Sequence, residues 1–349
     1  PSPPSDRGPP IPPDADRIPP PLRSILPSTY HPHMPAPIDL NAADLDTVWS
    51  TLATTNLHRR LLQLARDEDL PPPGDITSHI AIPAHAQGQA ALVVRQPGIL
   101  SGLRLLPDLL QLFAPNTAFQ IRAADGRHAD AGTVAAILQG PLREILAAER
   151  TLLNLVGRLS GVATRTAEFV RAVEGTGAKI YDTRKTTPGL RILEKYAVRC
   201  GGGMAHRLGL HDAVLIKDNH IAAADPPDLA AWLASAAARA RALALESGAP
   251  LAFVECEVDS LAQLQAILGA GGCNTDIILL DNMPVDDLRR AVEMRDRAGL
   301  KGRLQLEASG GVTLQTVRAI AETGVDRISA GALTHSVSSL DVALDIVTT

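Results

Sequence analysis

Between Ala178 and Ser329 the chain alternates short apolar runs with helix-length segments, and that alternation leaves few folds open. The runs are Lys179–Tyr181, Val214–Ile216, Leu251–Val254, Ile277–Leu280, Leu304–Leu306 and Arg327–Ser329. Segments such as Leu229–Glu246 and Leu314–Thr323 lie between them and are patterned as helices. Repeated strand–helix units with right-handed crossovers give a parallel sheet or a barrel. Six such runs fall short of the eight strands of a closed (β/α)8 barrel.

Nearly every run ends in a polar or charged group: Asp182–Lys185, Lys217, Glu257, Asp281, Glu307–Ser309 and Ser329–Gly331. In parallel α/β architecture the C-terminal strand ends meet on one face, where sites are built. The stretch from Asp182 to His220 is the densest part of that ring. It carries Arg184, Lys185, His206, Arg207 and Lys217, with a glycine run at Gly201–Gly203. Such a cluster is costly by self-repulsion unless something anionic sits among it. Arg184 and Arg207 offer planar forks suited to carboxylate or phosphate, Lys185 and Lys217 compact charges, and His206 a donor that titrates near neutral pH. The plain alternative is an internal ion-pair network with Asp182, Glu194 and Asp212.

Glu257 and Asp281 close neighbouring runs. Two carboxylates there could hold Mg2+ through its waters, contact sugar hydroxyls or stabilise a developing cation, unless they are outward salt-bridge partners. Ser309-Gly310-Gly311 is expected to open a helix through Thr313, its backbone N–H groups facing an anion. Ala330-Gly331-Ala332 repeats the arrangement one unit later. Paired glycine turns at the last two units are where such barrels often bind phosphate.

Upstream, residues 38–152 read as a smaller α/β layer domain. A helix is expected from about Leu40 with Asn41 as N-cap, and Pro71–Asp75 breaks the pattern. Strand-like runs follow at Ile80–Ile82, Ala90–Arg95, Gly98–Leu100 and Ala118–Ala123, with a short helix at Pro107–Phe113. Leu142 to about Val173 is strongly helical, with Gly161 as a possible interruption. Arg150 lies beside its apolar stripe and by pattern alone reads as a surface arginine. Residues 1–37 are Pro-rich and read as a disordered tail, with Met34 a candidate native start.

The net charge of −5 excludes a general nucleic-acid binder and leaves the basic cluster as a local feature. Three cysteines without metal spacing point to a reducing, cytoplasmic setting. No signal-peptide pattern or membrane-spanning apolar run is visible. Residue chemistry thus reaches a barrel that binds a phosphorylated, multiply anionic ligand with a divalent metal. Two other readings stay open: a lyase or aldolase with Lys217 as Schiff-base nucleophile, and a non-catalytic anion-binding protein.

Several runs in order resemble the quinolinate phosphoribosyltransferase family: GDIT (Gly74–Thr77), ERTLLNLVGRLSGVAT (Glu149–Thr164), YDTRKTTPGLR (Tyr181–Arg191), GGGMAHRLGL (Gly201–Leu210), LIKDNHI (Leu215–Ile221), ECEVDSL (Glu255–Leu261), ILLDN (Ile278–Asn282), LEASGGV (Leu306–Val312) and SAGALTHSV (Ser329–Val337). The resemblance implies a type II phosphoribosyltransferase fold. Its N-terminal α/β sandwich-like domain, 38–152, is joined by about 338–349, and its open (β/α)6-type barrel spans 153–337. It implies transfer from phosphoribosyl pyrophosphate to quinolinate with decarboxylation, giving nicotinate mononucleotide, pyrophosphate and CO2 in NAD synthesis. It implies a homodimer, or a higher oligomer, with a shared active site, and neither nucleic-acid nor membrane partners. Arg150 would enter the partner's pocket, and Arg184, His206, Arg207 and Lys217 would grip the quinolinate carboxylates. Thr183 would bind substrate, and Lys185, Glu257, Asp281, Ser309, Gly310, Gly311, Ala330, Gly331 and Ala332 would hold phosphoribosyl pyrophosphate. Lys185, Glu257 and Asp281 would be catalytic, with Mg2+ held indirectly by Glu257 and Asp281 through the pyrophosphate. The Pro-rich tail and a long Ala-rich segment at Ala222–Gly248 depart from the family pattern.

Overall fold

A computed structural model describes residues 39–347. The Pro-rich segment and Met34 lie outside the described residues. The first elements are helical: α1 (Leu45–Ala53), α2 (Leu57–Asp69) and α3 (Ile76–Ala81). The N-cap of α1 is Asp44, whose carboxylate accepts the Thr47 amide at 2.7 Å. Asn41 does something else. Its amide side chain pairs with both backbone groups of Ala205, at 2.7 and 2.9 Å, and so fixes the approach to His206. Ile80–Ile82 is not a strand. Asp75 caps α3 by accepting the Ser78 amide at 3.0 Å, and the helix runs through Ala81.

Next come β1 (Gln87–Val94), β2 (Gly98–Ile99), α4 (Leu106–Phe113), β3 (Ala118–Ile121), β4 (His128–Ala129) and β5 (Val134–Pro141). β5 was not apparent from sequence. Its VAAILQGP run lacks strict alternation because both faces are largely covered. At the far end of the chain β12 (Val342–Val347) returns to pair antiparallel with β1, Leu92 opposite Leu344. The resulting antiparallel sheet has the order β12-β1-β5-β3.

The helix α5 (Leu142–Ala172) is 31 residues long and unbroken. Its buried stripe includes Ile145, Leu152, Val156, Leu159 and Phe169. Gly161 does not interrupt it. Gly157 and Gly161 instead leave bare helix backbone against which residues 338–340 lie. The Leu340 amide donates to the Gly157 carbonyl at 2.9 Å, and a Cβ at Gly157 would come within 2.9 Å of the Leu340 carbonyl oxygen.

The rest is strand–helix alternation: β6 (Lys179–Tyr181), α6 (Arg191–Cys200), β7 (Val214–Ile216), α7 (Asp218–Ala224), α8 (Leu229–Ser247), β8 (Val254–Val258), α9 (Leu261–Gly269), β9 (Ile277–Asp281), α10 (Val285–Arg297), β10 (Gln305–Ser309), α11 (Val317–Ala321) and β11 (Arg327–Ser329). These six strands are parallel in the order β6-β11-β10-β9-β8-β7. β6 and β7 stand at opposite edges, so the barrel is open, as expected. Two boundaries move. β8 begins at Val254 and β10 extends to Ser309, several residues later than the apolar runs suggested. That shift places Glu255, Glu257 and Glu307 inside strands.

Candidate active site

Strand alternation decides which side chains face the barrel interior. On β8, Cys256 packs in the aliphatic core while Glu255 and Glu257 share the other face. On β10, Glu307 and Ser309 share a face, and on β11 so do Arg327 and Ser329. The register aligns Glu257 with Leu279, Glu307 with Arg327, and Ser309 with Asp281. The residues nearer the strand C-termini form the mouth, and those two positions earlier form a floor beneath it.

The floor is charged and its opposite charges are paired, although both Glu255 oxygens, Glu307 Oε1 and Arg327 Nη2 are buried without a hydrogen bond. The Nε of Arg327 donates to Glu307 at 2.6 Å, and its guanidinium lies over the Tyr181 ring, 3.7 Å from the centroid. His206 is buried there. Its Nε2 is 3.1 Å from Glu255 and 3.4 Å from Glu307, and its Nδ1 accepts the Arg207 amide at 2.8 Å. The carboxylates favour a cationic ring, whereas an amide donating into Nδ1 favours a neutral one. Burial and the fixed backbone amide act against the charge, but Glu307 and Glu255 outweigh them and push His206 up to about 9. His206, Glu255 and Glu307 lie close enough together to hold a metal ion. Burial pushes Glu255 up, and the Glu307 charge adds to it. Burial also acts on Glu307, but His206 and Arg327 outweigh it and hold that carboxyl well below the usual range.

The mouth is built oppositely. Arg184 and Arg207 form no ion pair among the described residues, and the Arg184 Nε is buried without a hydrogen-bond partner. Burial, and next the Arg184 guanidinium, push Arg207 below its usual range. Neither cation therefore has an acid at ion-pair distance among the described residues, although Glu255, Asp212 and Glu257 act on Arg207 from further off. The acids that could have neutralised them are engaged elsewhere. Asp182 is paired with Lys195 at 2.5 Å, both fully buried, and accepts the His206 amide. Glu194 is bound by Arg158, and Asp212 accepts the Leu208 and Gly209 amides at 2.6 and 2.8 Å.

The other expected residues divide. Thr183 accepts the Lys185 amide at 3.0 Å, leaving the Lys185 side chain exposed. Lys217 is not free: its Nζ donates to Glu257 at 2.6 Å. Asp281 forms no ion pair among the described residues and ends β9 beside Ser309. The glycine turn after β10 does not open a helix directly, because α11 starts only at Val317 after a Thr313–Thr316 hydroxyl turn. Gly310 has φ +92°, and a Cβ there would lie 2.8 Å from the Asn282 amide nitrogen, so only glycine fits. After β11, Ala330 is buried and Gly331–Leu333 form one 3-10 turn in place of an α-helix start. Arg150 stands apart. On α5 its side chain is 69% exposed, and its closest acid is Glu149 at 3.9 Å.

Sequence reading named Glu307 only as one of the polar strand ends, and missed Glu255, Arg327, Lys195 and Arg158 as parts of this site. The signal for Glu255 and Glu307 was available. E-C-E and L-E-A-S place polar residues at alternate strand positions, Glu255 with Glu257 and Glu307 with Ser309, the pattern of a strand with one polar face.

Comparison with known proteins agrees with this fold. Residues 75–160 match the family model for the quinolinate phosphoribosyl transferase N-terminal domain, and residues 162–345 that for its C-terminal domain. A carboxylating nicotinate-nucleotide pyrophosphorylase of Mycobacterium leprae is 43% identical over 82% of this chain and 96% of its own length. A decarboxylating quinolinate phosphoribosyltransferase of Nicotiana glauca is 39% identical over 82% of each chain. The structure of the nicotinate-nucleotide pyrophosphorylase from Francisella tularensis superposes with a TM-score of 0.74 at 34% identity, covering 89% of this chain and all of the other. With both family domains matched in order, and relatives at this identity over most of its length, the chain belongs to the quinolinate phosphoribosyltransferase family.

Proposed function

We propose that this chain transfers the phosphoribosyl group of phosphoribosyl pyrophosphate to the ring nitrogen of quinolinate, with loss of CO2, and yields nicotinate mononucleotide and pyrophosphate. The observation that carries this reading is the pair Arg184 and Arg207, neither at ion-pair distance from an acid among the described residues, with a buried Arg184 Nε lacking a partner. A dianion such as quinolinate supplies the missing negative charge. His206, committed to the floor and to the Arg207 amide, acts by fixing where Arg207 stands. Lys185, the Ser309–Gly311 turn and the Ala330–Ala332 turn take the phosphoribosyl pyrophosphate.

The chemistry follows from charge. Both substrates are polyanions, and the cationic mouth offsets their repulsion while bringing the pyridine nitrogen to the anomeric carbon. Departure of pyrophosphate builds oxocarbenium character on the ribose, which the carboxylates of Glu257 and Asp281 stabilise. The bond between Lys217 and Glu257 joins the quinolinate and ribose sides of the site. Once the nitrogen carries the ribose it is cationic, and its charge stabilises the electron pair left on the adjacent ring carbon when that carboxylate leaves as CO2; a proton from water then takes up that pair to give the C–H bond of nicotinate mononucleotide. The free Asp281 carboxylate fits a Mg2+ that arrives on the pyrophosphate, where it would neutralise leaving-group charge; the described residues offer no cage of their own there. An exposed Arg150 suits a homodimer in which that residue completes the partner's pocket.

Release of labelled CO2 from quinolinate, with and without phosphoribosyl pyrophosphate, tests the reaction; release that does not need the second substrate refutes it. Mixing an inactive Arg150→Ala chain with an inactive Lys217→Ala chain tests the shared site. Partial recovery is expected, and its absence would leave each subunit with a complete site of its own.

A further inference from the structure

Two of the loops assigned above to phosphoribosyl pyrophosphate are tied together by a charged pair that touches neither substrate. Arg158 projects from α5 and Glu194 from α6, and the Glu194 side chain is fully buried. The Nε and Nη2 of Arg158 donate to one Glu194 oxygen at 3.1 and 2.8 Å. Its remaining bonds go to the loop after β11: Nη1 reaches the Val337 carbonyl at 3.2 Å and Nη2 the Thr334 carbonyl. Glu194 reaches the other way. It accepts the Thr187 amide at 3.1 Å and the Thr187 hydroxyl at 3.0 Å. The circuit closes where the Thr334 hydroxyl donates to the Lys185 carbonyl at 2.7 Å.

Every bond this pair makes beyond itself goes to the loop carrying Lys185 or to the loop following Gly331. The spacing it holds is tight, since a Cβ on Gly331 would lie 2.9 Å from the Lys185 Cδ. A buried ion pair is a weak source of stability, because desolvation offsets most of its attraction. Its value is in direction: a planar guanidinium fork making four hydrogen bonds, and a carboxylate accepting on both oxygens, restrict the relative placement of the segments they bind.

We propose that Arg158 and Glu194 are positioning residues for the phosphoribosyl pyrophosphate half of the site, setting Lys185 against the Gly331 turn. The proposal rests on the assignment of Lys185 and that turn to this substrate. Glu194→Gln keeps the shape and removes the charge. Its expected effect is a rise of about tenfold in the KM for phosphoribosyl pyrophosphate, the scale of one lost charge-assisted hydrogen bond. The KM for quinolinate, and its dissociation constant by calorimetry without the second substrate, should not move. Arg158→Lys, which keeps the charge but loses the fork, should give the same split and serves if the first variant does not fold. Equal rises in both KM values, or no change in either, would overturn the proposal. Lys185→Ala, measured alongside, separates the two layers of inference. If it leaves the KM for phosphoribosyl pyrophosphate unchanged, the subsite assignment falls and takes the brace with it. If it raises that KM while Glu194→Gln is normal, the brace alone falls.

Discussion

The floor and the mouth of this barrel are both made of charged side chains, and they obey opposite rules. On the floor, Glu307 meets Arg327 at 2.6 Å and His206 sits between Glu255 and Glu307, so the charges answer one another. At the mouth, Arg184 and Arg207 lie close to each other, and no acid among the described residues pairs with either. The first arrangement is charge-paired without a ligand. The second is not, and an anion is what completes it. Charge density alone would not distinguish them; pairing does.

The contrast can be broken at either end. The largest effect belongs to the floor. Glu307→Leu leaves Arg327 buried and unpaired, and should cost about 3 to 5 kcal/mol of stability in denaturant unfolding. A loss below about 1 kcal/mol, the level of an exposed pair, would show that the floor is solvated after all. Next comes the mouth. Arg184→Ala removes a cation that has no partner to orphan, so stability should hold or rise slightly. The value of kcat/KM should fall about a hundredfold, or roughly 2.7 kcal/mol of transition-state binding. An Arg184→Ala enzyme that unfolds more easily than its parent would place this arginine with the compensated group.

Acid titration sharpens the same distinction. Glu307 is held below its ordinary 4.5, so its contribution is fully present above about pH 4.5 and is lost as the pH falls toward its folded value. Stability should therefore decline below pH 4.5, with a slope from this group of at most about 1.4 kcal/mol per pH unit. Glu307→Gln should flatten that slope by up to one proton, and an unaltered slope would mean that Glu307 is not the group titrating. The smallest effect is expected where charges are paired but wet. Arg290 meets Asp287 at 3.0 Å on the surface of α10, and Arg290→Ala should change unfolding free energy by about 0.5 kcal/mol or less and leave turnover intact.

Reading the chain in one dimension recovered the ring of polar strand ends and so most of the mouth, because a strand's end is a local event. It misplaced what depended on contacts across the fold. Asn41 looks like a helix cap because asparagine caps helices, yet its partner is Ala205, 164 positions away. Gly161 looks like a helix breaker, yet the helix continues and the glycine makes room for residues 338–340. Ile80 looks like strand, yet the capped turn at Asp75 wins over β-propensity in so short a segment.

The alternation of apolar runs and helices determined by itself that this is a parallel α/β sheet or barrel of about six strands, since periodicity and connection length admit little else; that the barrel is open was settled by the strand order. The strand ends named the cations, because side-chain chemistry does not depend on neighbours. Which cations would be neutralised and which left bare was decided only by tertiary structure. Lys195, Arg158 and Arg327 draw the acids Asp182, Glu194 and Glu307 to themselves. Pairing is a matter of angstroms between residues 13, 36 and 20 positions apart, and no local pattern encodes that distance.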